Sequence, residues 1–191
     1  MTKLILLRHG ESYLNKEGVY FGFTDSLLTK DGERQILKKI NTIPSYDLIY
    51  SSPLMRALKS AQIINTNNLL IKTDERLKEL NFGIFENKSY EEIQELHKSE
   101  CDKWKSENIS YTFPQGESIN DLSNRVISFI EEIKNFNKNI LIVTHYGVIN
   151  SILCHYISNN IESFWKFKCS HSSITTIEFH DGFPILTSFS I

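Results

Sequence analysis

Leu4-Ile5-Leu6-Leu7-Arg8-His9-Gly10 and, far along the chain, Ile140-Leu141-Ile142-Val143-Thr144-His145-Tyr146-Gly147 decide the fold. In each, four apolar residues follow one another without alternation, the pattern of a strand covered on both faces. Shorter strand candidates lie at 47–50, 69–72, 174–179 and 185–189. They alternate with helical segments, which predicts an α/β fold: a single-domain three-layer sandwich with a mostly parallel central sheet and helices on both faces.

The helices are marked by caps as well as by periodicity. Thr29 precedes Asp31 and Glu33, with Ile36, Leu37 and Ile40 on one face. Ser52-Pro53 reads as an N-cap followed by a first-turn proline, ahead of Leu54, Leu58, Ala61 and Ile64. Ser118 and Asp121 form a capping-box pattern before Leu122, Val126, Ile130 and Ile133. The stretch 74–116 breaks this regularity. Glu91 to Leu96 is helical in pattern and Trp104 anchors a loop or second helix, so the stretch is expected to be an excursion covering the active site within one domain, 1–191.

At 191 residues the chain is long enough for one sizeable core, and its formal net charge of -2 gives no global attraction to nucleic acid or anionic lipid. Any anion site must be a local cluster. Cys101, Cys154 and Cys169 are odd in number and lack a CxxC pairing, so they are expected to be reduced and structural. The apolar run after Met1-Thr2-Lys3 is too short for a signal peptide or a membrane span, and a cytoplasmic location is expected.

Both apolar runs end on a histidine with a glycine close behind. Ligands of open α/β sheets bind beyond the carboxyl ends of the strands, so His9 and His145 are expected to face a common site, each glycine letting backbone approach the ligand. A third strand end leads through Ser51-Ser52-Pro53 to Arg56 in the first turn of a helix. Arg8, Arg56 and His145 then surround His9 with donors suited to phosphate oxygens. A neutral imidazole attacks phosphorus without a metal when such groups draw off the oxygen charge, and no HxH, HExxH or clustered acidic motif is present. No metal or cofactor is expected. The residues alone do not select the proton donor among Glu11, Asp25, Glu79, Glu86 and Glu117. His97 and His180 read as surface residues and His155 as helix packing. His171, beside Ser172 and Ser173, is weighed as a ligand contact and set below the others.

Leu6-Leu7-Arg8-His9-Gly10-Glu11-Ser12 resembles the signature of the histidine phosphatase superfamily, which includes the cofactor-dependent phosphoglycerate mutases. The likeness continues through Asn15, Tyr20-Phe21-Gly22 with Asp25, Leu28-Thr29 with Gly32, and Ser51 to Ala57. It runs on through Glu79-Leu80-Asn81-Phe82-Gly83, Pro114 to Ser118, and Val143 to Gly147. The resemblance implies a phosphoglycerate mutase-like fold, His9 as phosphorylated nucleophile, Arg8, Asn15, Arg56 and His145 as phosphate ligands, and Glu79 as proton donor. Phe85-Glu86-Asn87 departs from the family's frequent Trp-Glu-Gly, and Asn tolerates the left-handed backbone that such a turn needs.

The implied function is metal-independent hydrolysis of a small phosphorylated metabolite through a phosphohistidine. Within the superfamily, Glu79 to Glu86 with Tyr90-Glu91-Glu92-Ile93 most resembles the α-ribazole phosphatases of cobalamin synthesis. Trp104, Tyr111 or Phe113 are expected to stack on a flat base. Phosphoglycerate mutase, a broad sugar-phosphate or fructose-2,6-bisphosphate phosphatase, and a non-enzymatic phospho-ligand binding module are the alternatives.

Overall fold

The computed structural model describes residues 1–191. Its centre is one six-stranded sheet in the order β3-β2-β4-β1-β5-β6, formed by β1 (Thr2–Arg8), β2 (Leu48–Ser51), β3 (Ile71–Thr73), β4 (Asn139–Thr144), β5 (Ile174–His180) and β6 (Phe183–Ser188). β1, β4, β2 and β3 run parallel; β5 and β6 join antiparallel beyond β1. The mostly parallel α/β sheet expected from the two apolar runs is the one found. β2 and β3 begin one and two residues later than expected, β5 begins at Ile174 as expected, and β6 begins two residues earlier.

The unbroken apolar runs are explained by burial on both faces. Leu4, Leu6, Ile140 and Ile142 join the larger core cluster with the apolar stripes of α6 (Ile119–Ile133) and α7 (Tyr146–Leu153). Ile5, Leu7, Leu141 and Val143 point the other way, into a smaller cluster with Ile36 of α2 (Lys30–Leu37) and Ala57, Ala61 and Ile64 of α3 (Met55–Ile64). Alternate residues of one strand thus serve two cores. A short α1 (Tyr13–Glu17) follows β1. Gly32 N donates to Thr29 Oγ1 (2.9 Å) and Asp121 N to Ser118 Oγ (3.1 Å), as the cap patterns require. No helix is long and apolar enough to cross a membrane.

Several local expectations are corrected. α3 starts at Met55 rather than after Ser52, because the Asp25 carboxylate accepts from Met55 N (2.9 Å) and Ser52 Oγ is engaged by His145 Nε2 (2.8 Å). The stretch 74–116 is more ordered than its sequence suggests. It holds α4 (Tyr90–Leu96), α5 (Lys98–Glu107) and three short 3-10 turns. Leu77, Leu80, Phe85, Ile93, Tyr111 and Phe113 continue the core beneath α6 and α7. Tyr111 and Phe113 are only 2% and 1% exposed, so they pack the core and cannot stack on a substrate. Trp104, half-buried on α5, packs edge-on against Tyr20 (5.5 Å) and Phe113 (5.4 Å). His155, expected to pack within a helix, is exposed.

Candidate active site

Sheet register brings the two histidines together. Arg8 pairs with Thr144 across the parallel β1 and β4, so the next residues, His9 and His145, emerge side by side at the same sheet edge. His9 N donates to Thr144 O (2.9 Å), and the two rings lie 5.1 Å apart edge to face. Ser51 pairs with Val143 on the next strand, which places Ser52 Oγ 2.8 Å from His145 Nε2.

His9 Nδ1 donates to its neighbour Gly10 O at 2.7 Å; since a carbonyl only accepts, this fixes the proton on Nδ1 and leaves Nε2 with its lone pair free. Burial pushes the imidazole well below its ordinary range, and the Arg56 and Arg8 charges push the same way, so the ring is neutral. His145 is held neutral in the same manner, by burial first and then by Arg56 and His9. Ser52 Oγ has only the His145 ring as an acceptor for its proton, so the hydroxyl donates to Nε2 and His145 carries its own proton on Nδ1.

Arg8 and Arg56 line the same cavity, of about 180 Å³, as His9, Asn15 and Glu79. Each arginine is spread against backbone. Arg8 Nη1 donates to Cys169 O (2.6 Å) and Nη2 to His171 Nε2 (3.0 Å). Arg56, 1% exposed, donates from Nη1 to Thr24 O (3.0 Å) and from Nη2 to Gly22 O (2.6 Å). Burial lowers the pKa of Arg56 to about 10, with the Glu79 charge opposing it, and the guanidinium stays charged at neutral pH. Arg8 Nε, Arg56 Nε and His145 Nδ1 are buried donors without a partner in the protein. A buried N–H left unpaired is costly, and three around one imidazole form a donor set for an oxyanion. Asn15 reaches the cavity with its Oδ1 already accepting from Ser12 N (3.1 Å) and Ser12 Oγ (2.8 Å), so its amide nitrogen is the end left for a ligand.

Glu79 enters from the excursion. Its Oε1 accepts from Leu80 N (2.9 Å) and from Gly147 N (3.0 Å) at the start of α7; Oε2 shares the latter at 3.1 Å. Arg125 on α6 holds the segment behind it, donating from Nη1 to Arg76 O and Lys78 O (both 2.7 Å) and from Nη2 to Glu79 O (2.9 Å). Glu117 pairs with Arg125 (2.6 Å) and accepts from Asn81 N (2.9 Å).

The glycines near the histidines serve the protein rather than the ligand. A Cβ at Gly10 would run into the carbonyl of Gly32, and one at Gly147 into the Glu79 carboxylate. The carboxylates not selected are spent elsewhere. Asp25 caps α3, Glu11 accepts from Thr29 Oγ1, Glu117 holds Arg125, and Glu86 binds four backbone N–H groups. His171, set low on sequence, stands beside His9, 5.8 Å between ring centres. Its signal was the pair of serines after it: Arg8 N donates to Ser173 O and Ser172 N to His9 O (both 3.1 Å), so 169–173 wraps the first strand end. Ser52 and Arg125 lacked such a signal, because their partners are distant in sequence.

The chain as a whole is similar to known proteins. The family model of the histidine phosphatase superfamily (branch 1) matches residues 4–191. Phosphoserine phosphatase 1 of Hydrogenobacter thermophilus is 30% identical, covering 100% of this chain and 93% of its own. The crystal structure of the α-ribazole phosphatase of Shigella flexneri superposes with a TM-score of 0.90 at 27% identity, over 99% of this chain and 96% of that one. A mutant phosphoserine phosphatase of Entamoeba histolytica in complex with phosphoserine gives 0.88 at 34% identity, over 100% and 97%. With His9, Arg8 and Arg56 lining one cavity and the second strand-end histidine, His145, packed against His9, the chain belongs to the histidine phosphatase superfamily and is a phosphatase.

Proposed function

We propose that the protein hydrolyses a small phosphomonoester through a phosphohistidine on His9. The observation that carries this reading is the set of buried donors without protein partners, Arg8 Nε, Arg56 Nε and His145 Nδ1, around an imidazole whose Nε2 is free. His9 Nε2 attacks phosphorus and the ester P–O bond breaks. Glu79 gives a proton to the leaving oxygen, from Oε2, the oxygen with the weaker hold on backbone. The alcohol leaves with that proton; water then gives one of its own protons to Glu79 and attacks the phosphorus, the P–N bond breaks, and phosphate leaves with His9 restored. The charge on the transferring oxygens falls to Arg8, Arg56, His145 and the Asn15 amide, so the reaction runs without a metal or cofactor. The same reading sets the chain in the cytoplasm, in keeping with three free buried thiols.

For the substrate we favour α-ribazole 5′-phosphate. Tyr20 and Phe82, edge to face at 5.5 Å, line the cavity and supply the aromatic wall that a flat base needs, in the role first expected of Tyr111 and Phe113. The lining has no cation besides Arg8 and Arg56 to receive a substrate carboxylate. Phosphoserine is the second reading, favoured by the 34% identity to the Entamoeba enzyme.

Enzyme quenched at alkaline pH carries phosphate on His9 by mass spectrometry, and His9→Ala loses about 10³-fold or more in kcat/KM. Chelators leave the rate unchanged; strict dependence on Mg²⁺ or Zn²⁺ refutes the metal-free pathway. The substrate is decided by kcat/KM on α-ribazole 5′-phosphate, phosphoserine and, with 2,3-bisphosphoglycerate present, 3-phosphoglycerate. Efficient mutase turnover overturns the hydrolase reading, and a preference for phosphoserine overturns the nucleotide.

A further inference from the structure

Two loop segments supply the apolar walls of the cavity on either side of a gap. Val19, Tyr20 and Phe21 line the cavity from one side and Phe82 from the other. What fixes their separation is the Glu86 carboxylate. Oε1 accepts from Gly22 N (2.8 Å), Phe23 N (3.1 Å) and Phe82 N (3.1 Å), and Oε2 from Thr24 N (2.9 Å). One side chain therefore ties both walls together.

The first wall is held from its other edge too. Gly22 and Thr24 each give their N–H to Glu86 and their carbonyl to Arg56. Tyr20 is bridged to the strip after Glu86, its N–H donating to Lys88 O (2.8 Å) and its carbonyl accepting from Asn87 N (2.7 Å). Asn87 makes that bridge with a φ of 60°, the left-handed backbone that asparagine tolerates. All four bonds go to the protein's own backbone, three to Oε1 and one to Oε2, so the carboxylate serves the two walls.

We propose that Glu86 is a positioning residue for specificity: it sets the gap between Tyr20–Phe21 and Phe82, and so selects the leaving group without touching the phosphoryl group. The inference rests on the reading of this cavity as a phosphomonoester site. Its chemistry predicts a graded response. Glu86→Gln keeps the three bonds to one oxygen and sets an NH₂ group against Thr24 N–H, whereas Glu86→Ala releases all four donors.

The test uses the full chain with p-nitrophenyl phosphate, whose flat ring must pass the gap, and orthovanadate, which has no leaving group. KM should rise about threefold in E86Q and about tenfold in E86A, with kcat little changed and the vanadate inhibition constant within about twofold of wild type. Should E86A not fold, E86Q alone still decides. Unchanged KM in the folded variants, or KM and vanadate inhibition weakening in step, overturns the inference, the second result meaning that Glu86 supports the whole site. A wild-type chain that turns over no phosphomonoester overturns the underlying reading instead, and does so before any variant is compared.

Discussion

His9 and His145 stand one residue beyond a register pair on two fully buried strands, whereas Glu79 stands in a segment with no strand ladder, pinned by Arg125 and by the start of α7. His9 and Glu79 line one cavity, and the His145 ring packs 5.1 Å from that of His9. The histidines are positioned by the sheet itself, so their placement comes with the main core. Glu79 is positioned by side-chain to backbone bonds over buried aromatic packing at Phe85, Tyr111 and Phe113, which can be altered piece by piece.

The sharpest way to break this contrast is Phe113→Ala. If the aromatics of the excursion are core, the substitution costs about 3–5 kcal/mol of stability, seen in denaturant unfolding, with KM unchanged. A raised KM with little loss of stability would return Phe113 to the substrate wall. Next in size is Glu79→Gln, expected to slow alkyl phosphates about 10²-fold and p-nitrophenyl phosphate less than tenfold, because the latter's leaving oxygen needs little protonation. Equal slowing of both esters would leave Glu79 a positioning role only. Arg125→Lys should give a weaker version of the same leaving-group signature, about tenfold on alkyl esters, because one ammonium cannot serve three carbonyls and a carboxylate. A loss that ignores the leaving group would mean that Arg125 supports the fold alone.

The smallest effect concerns the strand-end side. Burial, with Arg8 adding to it, lowers the pKa of His171 from 6.5 to about 4. Between those values the unfolded chain takes up a proton that the folded protein refuses, so stability falls as pH falls from 6.5 toward 4. His171→Gln removes that share: its Tm should decline by a few degrees less than wild type over this interval. Parallel Tm curves for the two proteins would show that His171 is not held neutral.

How much was legible follows the same division. Leu4 to Leu7 and Ile140 to Val143 carried their meaning in an unbroken apolar run, and the histidines after them could be paired before any coordinates. Glu79 could not be told from Glu86 or Glu117 by local pattern, since each gains its role from partners distant in the chain: Gly147, Gly22 and Asn81. Only resemblance selected it. Tyr111 and Phe113 misled because an aromatic near a presumed pocket reads the same whether it faces in or out. Ser52 misled because a hydroxyl before proline matches an N-cap whether it caps a helix or serves a histidine.

The peptide at His9 has a consequence for how activity is lost. Its N–H is held by Thr144 O and its carbonyl by Ser172 N, while Arg8 N is held by Ser173 O. His9 cannot be released by fraying at an edge, since β1 lies between β4 and β5 in mid-sheet. Local opening that frees His9 requires the central ladder to part, which costs close to the full free energy of unfolding. On the proposed mechanism, heat inactivation and the cooperative loss of structure are thus one event for phosphoenzyme formation. Proton donation, hung on Arg125 and Gly147, is free to fail first, leaving an interval of temperature in which the protein still takes up phosphate from activated esters but no longer turns over alkyl ones.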